Sequence, residues 1–332
     1  MDKILLSHGA GGREMVELIE RIFLEGYGNR KALGDDSATL TVPSGRLAFT
    51  TDSFVVDPLF FPGGDIGRLA VAGTVNDLLT AAAKPLALAV SFIIEEGLDI
   101  AVLERIAASI RQTAEEAGVA IITGDTKVVP RGSADKVFIT TTGVGEVLRP
   151  GVSGAGVHPG DKIIISGPLG EHGMAVMLAR EKLVEGGGIV SDAAPLTDMV
   201  LNLLQAGRSI HAMRDPTRGG LAATLNEIAQ QSQVAMEIAE DQIPLNPAVT
   251  AAAEALGLDV LTVANEGKMV IFVAGGDANQ ALEVVRNSRY GQEARIIGEA
   301  RPGPAGRVTV RTAFGTSRFL DMPAGELLPR IC

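Results

Sequence analysis

The chemistry this chain can do rests on acids at the ends of apolar runs and on one thiol, Cys332, at its last position. In GDDSA, Asp35 and Asp36 follow Gly34 just ahead of an apolar run; in TTDS, Asp52 closes a predicted strand; in TGDTK, Asp125 closes another. Asp77 is more unusual. It falls on a predicted helix whose core stripe runs Ile66, Ala70, Gly73, Asn76 and Asp77, where an unpaired carboxylate is costly. Carboxylates converging from separate elements repel one another unless a cation lies between them, and Mg²⁺ with oxygen ligands is the usual answer where nucleotide phosphates bind. Taken singly, each acid has the alternative of a helix cap, a turn or a solvated loop, which aspartate also favours.

Two glycine-rich stretches precede predicted helices: SHGAGGRE, from Ser7 to Glu14, and DPTRGG, from Asp215 to Gly220. Backbone N–H groups at such helix starts can hold phosphate, although neither stretch ends in the GK[ST] of a Walker A loop, and a plain turn and cap is the alternative for both. Arg218, beside Gly219, inclines the second toward anions. The thiol of Cys332 sits next to the chain's terminal carboxylate, which disfavours the thiolate, so its activation calls for a cation or a base. Lys127, two residues beyond Asp125 in GDTKVV, and Glu266 in ANEGK are the candidates; ordinary surface charge is the alternative for each.

These residues need elements to position them. At 332 residues the chain exceeds the size of a single growing core, which predicts two α/β units. In the first, strands are predicted at Leu47–Thr51, Leu86–Ile94, Val119–Thr123 and Val137–Thr142, with helices at Ile66–Ala83 and Asp99–Ala117. RPGVSGAGVHPGD, residues 149–161, reads as a linker. In the second unit, predicted strands at Lys162–Ser166, Ile210–Met213, Val234–Ile238, Met269–Ala274 and Arg295–Ile297 alternate with helices at Gly173–Val184 and Leu221–Gln231. From about Phe314 onward GTSRFLDMPAGELLPRIC has no period, which predicts an irregular arm with Cys332 at its tip.

Composition excludes several classes. Lys and Arg number 29 against 40 Asp and Glu, and the net charge of −11 disfavours nucleic acid and anionic lipid. The longest apolar run, Leu86 to Ile94, is too short to cross a bilayer, and the N-terminus lacks the pattern of a secretory leader, so a cytoplasmic protein is expected. A single cysteine makes no internal disulfide, and with four scattered histidines it makes no zinc site.

SHGAGG, GDDSA, TTDSFVV, FPGGDIGRLAVAGTVNDLL, GDTKVV, DPTRGGLA, NEGK and the ending PRIC, spread from end to end, together closely resemble the HypE family of hydrogenase maturation proteins. That family lies in the aminoimidazole ribonucleotide synthetase (PurM-like) superfamily. The resemblance implies a glycine-rich segment over 1–33, an ATP-binding domain over 34–148, the linker at 149–161, a C-terminal domain over 162–313 and a flexible tail over 314–332. It implies a homodimer whose N-terminal sheets pair into a barrel, with ATP and Mg²⁺ held near the interface. Asp35, Asp52, Asp77 and Asp125 would be the metal-side acids; Asp36, Asn76, Thr126, Asp215, Thr217, Arg218 and Gly219 would complete the nucleotide site. In the family, the carbamoyltransferase HypF loads a carbamoyl group on the terminal cysteine, ATP-dependent dehydration makes it a thiocyanate, and the HypC–HypD complex receives the cyano group for a [NiFe]-hydrogenase iron. Cys332, Lys127 and Glu266 would be the catalytic residues. The rival readings are a small-molecule kinase or synthetase of the same superfamily, of the thiamine-monophosphate kinase or selenophosphate synthetase type, and a non-enzymatic nucleotide-binding scaffold. The selenophosphate synthetases characteristically carry an N-terminal cysteine or selenocysteine that this chain lacks.

Overall fold

The computed structural model describes residues 3–9, 17–24, 40, 45–181, 188–324, 328 and 330–332. Asp35, Asp36 and residues 10–12 of SHGAGG lie outside them. Two sheets organise the described chain, as expected of an α/β protein. The first contains β1 (Leu47–Phe54), β2 (Ala83–Glu95), β3 (Ala120–Val129) and β4 (Val137–Val147) in the order β1-β4-β2-β3. The pairs are antiparallel except β2 with β3, which the helical crossover makes parallel. That crossover is α2 (Ile100–Ala117), which buries Leu103, Ile106, Ala107, Ile110 and Ala114 and stops at Gly118 in the left-handed conformation, φ +66°.

Between β1 and β2 runs α1 (Ile66–Thr80), started by Asp65, whose carboxylate accepts the N–H groups of Gly67 and Arg68 at 2.7 and 3.0 Å. Nearly every residue of α1 is buried, because the first sheet covers one side and α2 together with the second unit covers the rest. The opposite face of the sheet is open, and it exposes Leu47, Phe49 and Ile93.

The second sheet takes β5 (Lys162–Ile165), β6 (Ile210–Arg214), β7 (Ala235–Ala239), β8 (Val270–Val273), β9 (Arg295–Arg301), β10 (Val308–Arg311) and β11 (Ser317–Phe319) in the order β11-β10-β7-β9-β5-β8-β6. Helices α3 (Glu171–Arg180) and α4 (Gly220–Gln231) bear on the site. The short strand β11 corrects one expectation: the chain after Phe314 is not wholly irregular, because the turn at Thr312–Thr316 returns it alongside β10.

The units are bolted together by buried polar contacts. Asn76 of α1 donates to the carbonyls of Ala194 (3.0 Å) and Glu266 (3.2 Å) and accepts from the N–H of Leu196 (2.9 Å). Arg68 donates to the carbonyl of Ala193 and pairs with Glu116 at 3.0 Å.

Candidate active site

A cleft of about 430 Å³ opens between the units, lined by Thr50, Asp52, Asp77, Asp215, Thr217 and Arg218 among others. Strand alternation aims Thr50 and Asp52 at α1, and Thr50 Oγ1 donates to Asp77 at 2.8 Å. Asp215 follows β6 and is buried. Burial first, and then repulsion from Asp77 and Asp52, pushes its carboxyl up to about 7. Asp52 is raised by burial and by Asp77; Asp77 is raised by burial against the opposing bond from Thr50.

Glu266 stands behind these acids, 3 % exposed, with Oε1 buried and without a hydrogen-bond partner among the described residues. Burial, with Asp215 and Asp192 adding repulsion, holds its carboxyl well above the ordinary glutamate value. Its backbone is fixed: Asp192 accepts the N–H groups of Glu266 (3.2 Å) and Gly267 (3.3 Å), and Lys268 balances Asp192 and Glu171 at 3.5 and 3.1 Å.

The tail enters this site. Cys332 accepts through its main-chain oxygen from the Val55 N–H at 3.1 Å, just past the end of β1, and Ile331 is 2 % exposed. Burial, followed by Glu266, raises the thiol to about 12, while Arg218 opposes and Asp52 adds to the rise. The sulfur therefore lies within reach of the charges of Glu266, Arg218 and Asp52.

The predicted site divides accordingly. Asp52, Asp77, Asp215, Thr217, Arg218, Glu266 and Cys332 come together in one chain. Asp125 and Lys127 do not join them. They lie on β3, at the other edge of the first sheet from β1, and pair with each other at 2.9 Å, which holds Asp125 below the usual carboxylate range. Three strand spacings, about 14 Å, separate the two edges. Asp125 and Lys127 also flank the buried Thr126, so they point to the open face of the sheet while Asp52 points to α1. Thr126 is 4 % exposed and likewise remote from the cleft.

Two more residues have structural duties. Asn76, expected at the nucleotide, commits its amide to the backbone of the second unit, so it positions Glu266 instead. Gly219 and Gly220 hold φ +78° and +58°, and a Cβ on Gly220 would lie 2.6 Å from the Val263 carbonyl, so the turn itself requires glycine. Four residues went unforeseen: Arg214, which lines the cleft immediately before DPTRGG, and His172, Arg180 and Asp192. His172 in GEHG, at a helix start, was the available signal.

The donor set suits a magnesium–nucleotide group. Three acids crowd one cleft, all with raised carboxyl groups, which is the state a cation relieves. Arg214, Arg218, Thr217 and the α4 N-terminus, whose Gly219 supplies no capping side chain, face the same space with the opposite complement. Among the described residues no group of three acids, histidines or cysteines is close enough to hold a metal unaided.

Comparison with known proteins agrees. The AIR synthase related protein family matches residues 34–147 with its N-terminal domain and 158–311 with its C-terminal domain. Carbamoyl dehydratase HypE of Bradyrhizobium diazoefficiens is 53% identical over 98% of this chain and 95% of its own length. The chain belongs to the HypE family. HypE of Escherichia coli K12 is 43% identical over 100% of both chains. A crystal structure of hydrogenase maturation protein HypE in complex with ATP, 47% identical, superposes with a TM-score of 0.96 over 99% of each chain. HypE taken from a HypE–HypF complex, also 47% identical, gives 0.81 over 92% of this chain and 99% of that one. A thiamine-monophosphate kinase of Stenotrophomonas maltophilia, at 20% identity and a TM-score of 0.68, shares the fold alone.

Proposed function

We propose that the chain is an ATP-dependent carbamoyl dehydratase of hydrogenase maturation, acting on a carbamoyl group carried by its own Cys332. The carrying observation is the docked tail: Cys332 accepts from the Val55 N–H just past the strand that bears Asp52, and its thiol feels the charges of Glu266, Arg218 and Asp52. This placement favours a tail-borne substrate over the free substrate of a small-molecule kinase.

An amide oxygen leaves poorly. In our reading the thiocarbamate oxygen attacks the γ-phosphorus of ATP, releasing ADP, and the phosphorylated oxygen then departs as phosphate. Two N–H protons are lost in the course of these steps, and the carbon–nitrogen bond becomes the triple bond of S–C≡N. Glu266, with one oxygen free of partners among the described residues, takes a proton from nitrogen, and its elevated basicity suits that task. Arg218 steadies the negative charge near sulfur and phosphate. Holding the thiocarbamate against the nucleotide removes much of the entropic barrier. Mg²⁺, held by Asp52 and Asp77, would supply positive charge to the phosphate oxygens.

Asp125 and Lys127 act, in this reading, from a second subunit. The open face of the first sheet bears Phe49, 71% exposed, together with Leu47 and Ile93, and pairing two such faces carries β3 of one copy toward the cleft of the other. Asp35 joins the metal side and Asp36 the nucleotide site on the strength of their motif. HypF loads the tail and HypC–HypD accepts the product, in a cytoplasmic setting. The test is intact-mass measurement after incubation with HypF, carbamoyl phosphate and ATP. Carbamoyl adds to Cys332 and then loses one water per ATP hydrolysed; Cys332→Ala keeps ATP binding and gains no cyano group. Persistence of the carbamoyl adduct while ATP is consumed refutes the assignment.

A further inference from the structure

The last three residues are gripped by their backbone. Val55 N–H donates to the Cys332 main-chain oxygen at 3.1 Å and Asp57 N–H donates to the Arg330 carbonyl at 3.3 Å, an antiparallel register that lays the tail along the chain leaving β1. Arg330 donates through Nε to the Val55 carbonyl at 3.0 Å and pairs with Asp135. Arg180, at the end of α3, donates through Nη2 to the carbonyls of Asp57 and Arg330, both at 2.7 Å, so one guanidinium spans both strands of that pairing.

His172 completes the grip from a position with no solvent exposure. The Ile331 carbonyl, 2.8 Å from His172 Nε2, can only accept, so the ring proton is on Nε2. Burial favours the neutral ring, which leaves Nδ1 to accept from Ser191 Oγ at 2.8 Å, while Ser191 Oγ accepts the Ala193 N–H at 3.1 Å. A fully buried donor is thus satisfied by the tail, and undocking leaves it without that bond. Arg330 holds φ +50°, a conformation that costs a non-glycine residue energy, so the grip works against a built-in strain.

We propose that His172 and Arg180 are positioning residues forming a backbone latch, which seats Cys332 at Glu266 whatever group the sulfur carries and must open before the thiol can be loaded. The latch touches main-chain carbonyls and no atom of the cargo, so thiol, thiocarbamate and thiocyanate are held alike. In its docked position the free thiol is a poor nucleophile, being half-buried beside acids. The latch rests on the dehydratase reading only for its purpose; its existence is tested without catalysis.

Cys332 is the only cysteine, so alkylation by iodoacetamide at pH 8 reports its exposure directly. His172→Phe, which removes the donor, and Arg180→Gln, at a partly exposed site, should each speed labelling at least tenfold. His172→Gln, which retains an N–H donor, should remain within about twofold of the parent chain. Labelling of folded Arg180→Gln and His172→Phe at the parental rate would overturn the latch; if His172→Phe does not fold, Arg180→Gln alone decides. For the carbamoylated chain, the same variants should slow single-turnover water loss at least tenfold with ATP affinity unchanged. Faster labelling without any water loss in the parent chain would uphold the latch and discard the dehydratase reading.

Discussion

Asp215 offers a quantitative test of the acidic cleft. Its carboxyl rises from 3.8 to about 7, chiefly through burial and then through Asp77 and Asp52. An acid whose folded value is raised binds its proton more tightly in the folded state. Its contribution to stability is therefore whole below the unfolded value and is lost as pH climbs through the folded one. One unit is worth about 1.4 kcal/mol, so the full rise corresponds to about 4 kcal/mol, of which roughly 3 kcal/mol falls between about pH 5 and 8.5. At about 2 cal/mol/K of unfolding entropy per residue, a chain of 332 residues moves by about 4 °C for that change. In the presence of a chelator, Asp215→Asn should melt about 4 °C above the parent at the higher pH, relative to their difference at the lower one. Scanning fluorimetry reads this directly. Magnesium with a non-hydrolysable ATP analogue should shrink the gap, because a cation removes the repulsive share. Parallel melting curves for parent and variant across this pH range would refute the reasoning.

Other perturbations probe the remaining links. Glu266→Gln should slow dehydration at least ~100-fold, the usual contribution of a positioned base, and should make the Cys332 thiol more acidic than its value of about 12, read from the pH profile of alkylation. Asn76→Ala leaves the Leu196 N–H and the Ala194 and Glu266 carbonyls without their buried partner, and should cost roughly 2–4 kcal/mol in denaturant unfolding. Phe49→Glu should drive the protein toward monomers in analytical ultracentrifugation and slow dehydration with it. Mixing inactive Asp52→Asn and Lys127→Ala subunits should restore activity if β3 serves the partner's cleft, and no recovery would place Lys127 outside the reaction.

The two-layer α/β plan was readable because burial imposes periods on a chain. Leu103, Ile106, Ala107, Ile110 and Ala114 repeat at helical spacing, and α2 is found there, ending at Gly118. Strand edges were harder to read. β1 extends to Phe54 and β3 to Val129, because sheet pairing carries polar residues such as Asp52 and Asp125 that local composition would assign to loops. The stretch after Phe314 was misjudged in part for the same reason: β11 exists only because β10 is beside it.

The sequence alone determined which chemical groups are available: the lone terminal thiol, the aspartates at strand ends, and the glycines that turn DPTRGG into α4. These are local properties, set by residue type, periodicity and backbone freedom. Tertiary structure decided which of them meet. Strand order sends Asp125 and Lys127 to the far edge and opposite face from Asp52, and a two-residue alternation cannot reveal an edge. Folding of the tail against α3 recruited His172 and Arg180, whose duty is to bind main-chain carbonyls 159 and 150 positions away. Backbone acceptors are the same at every residue, so no side-chain pattern announces such a partnership before the chain is folded.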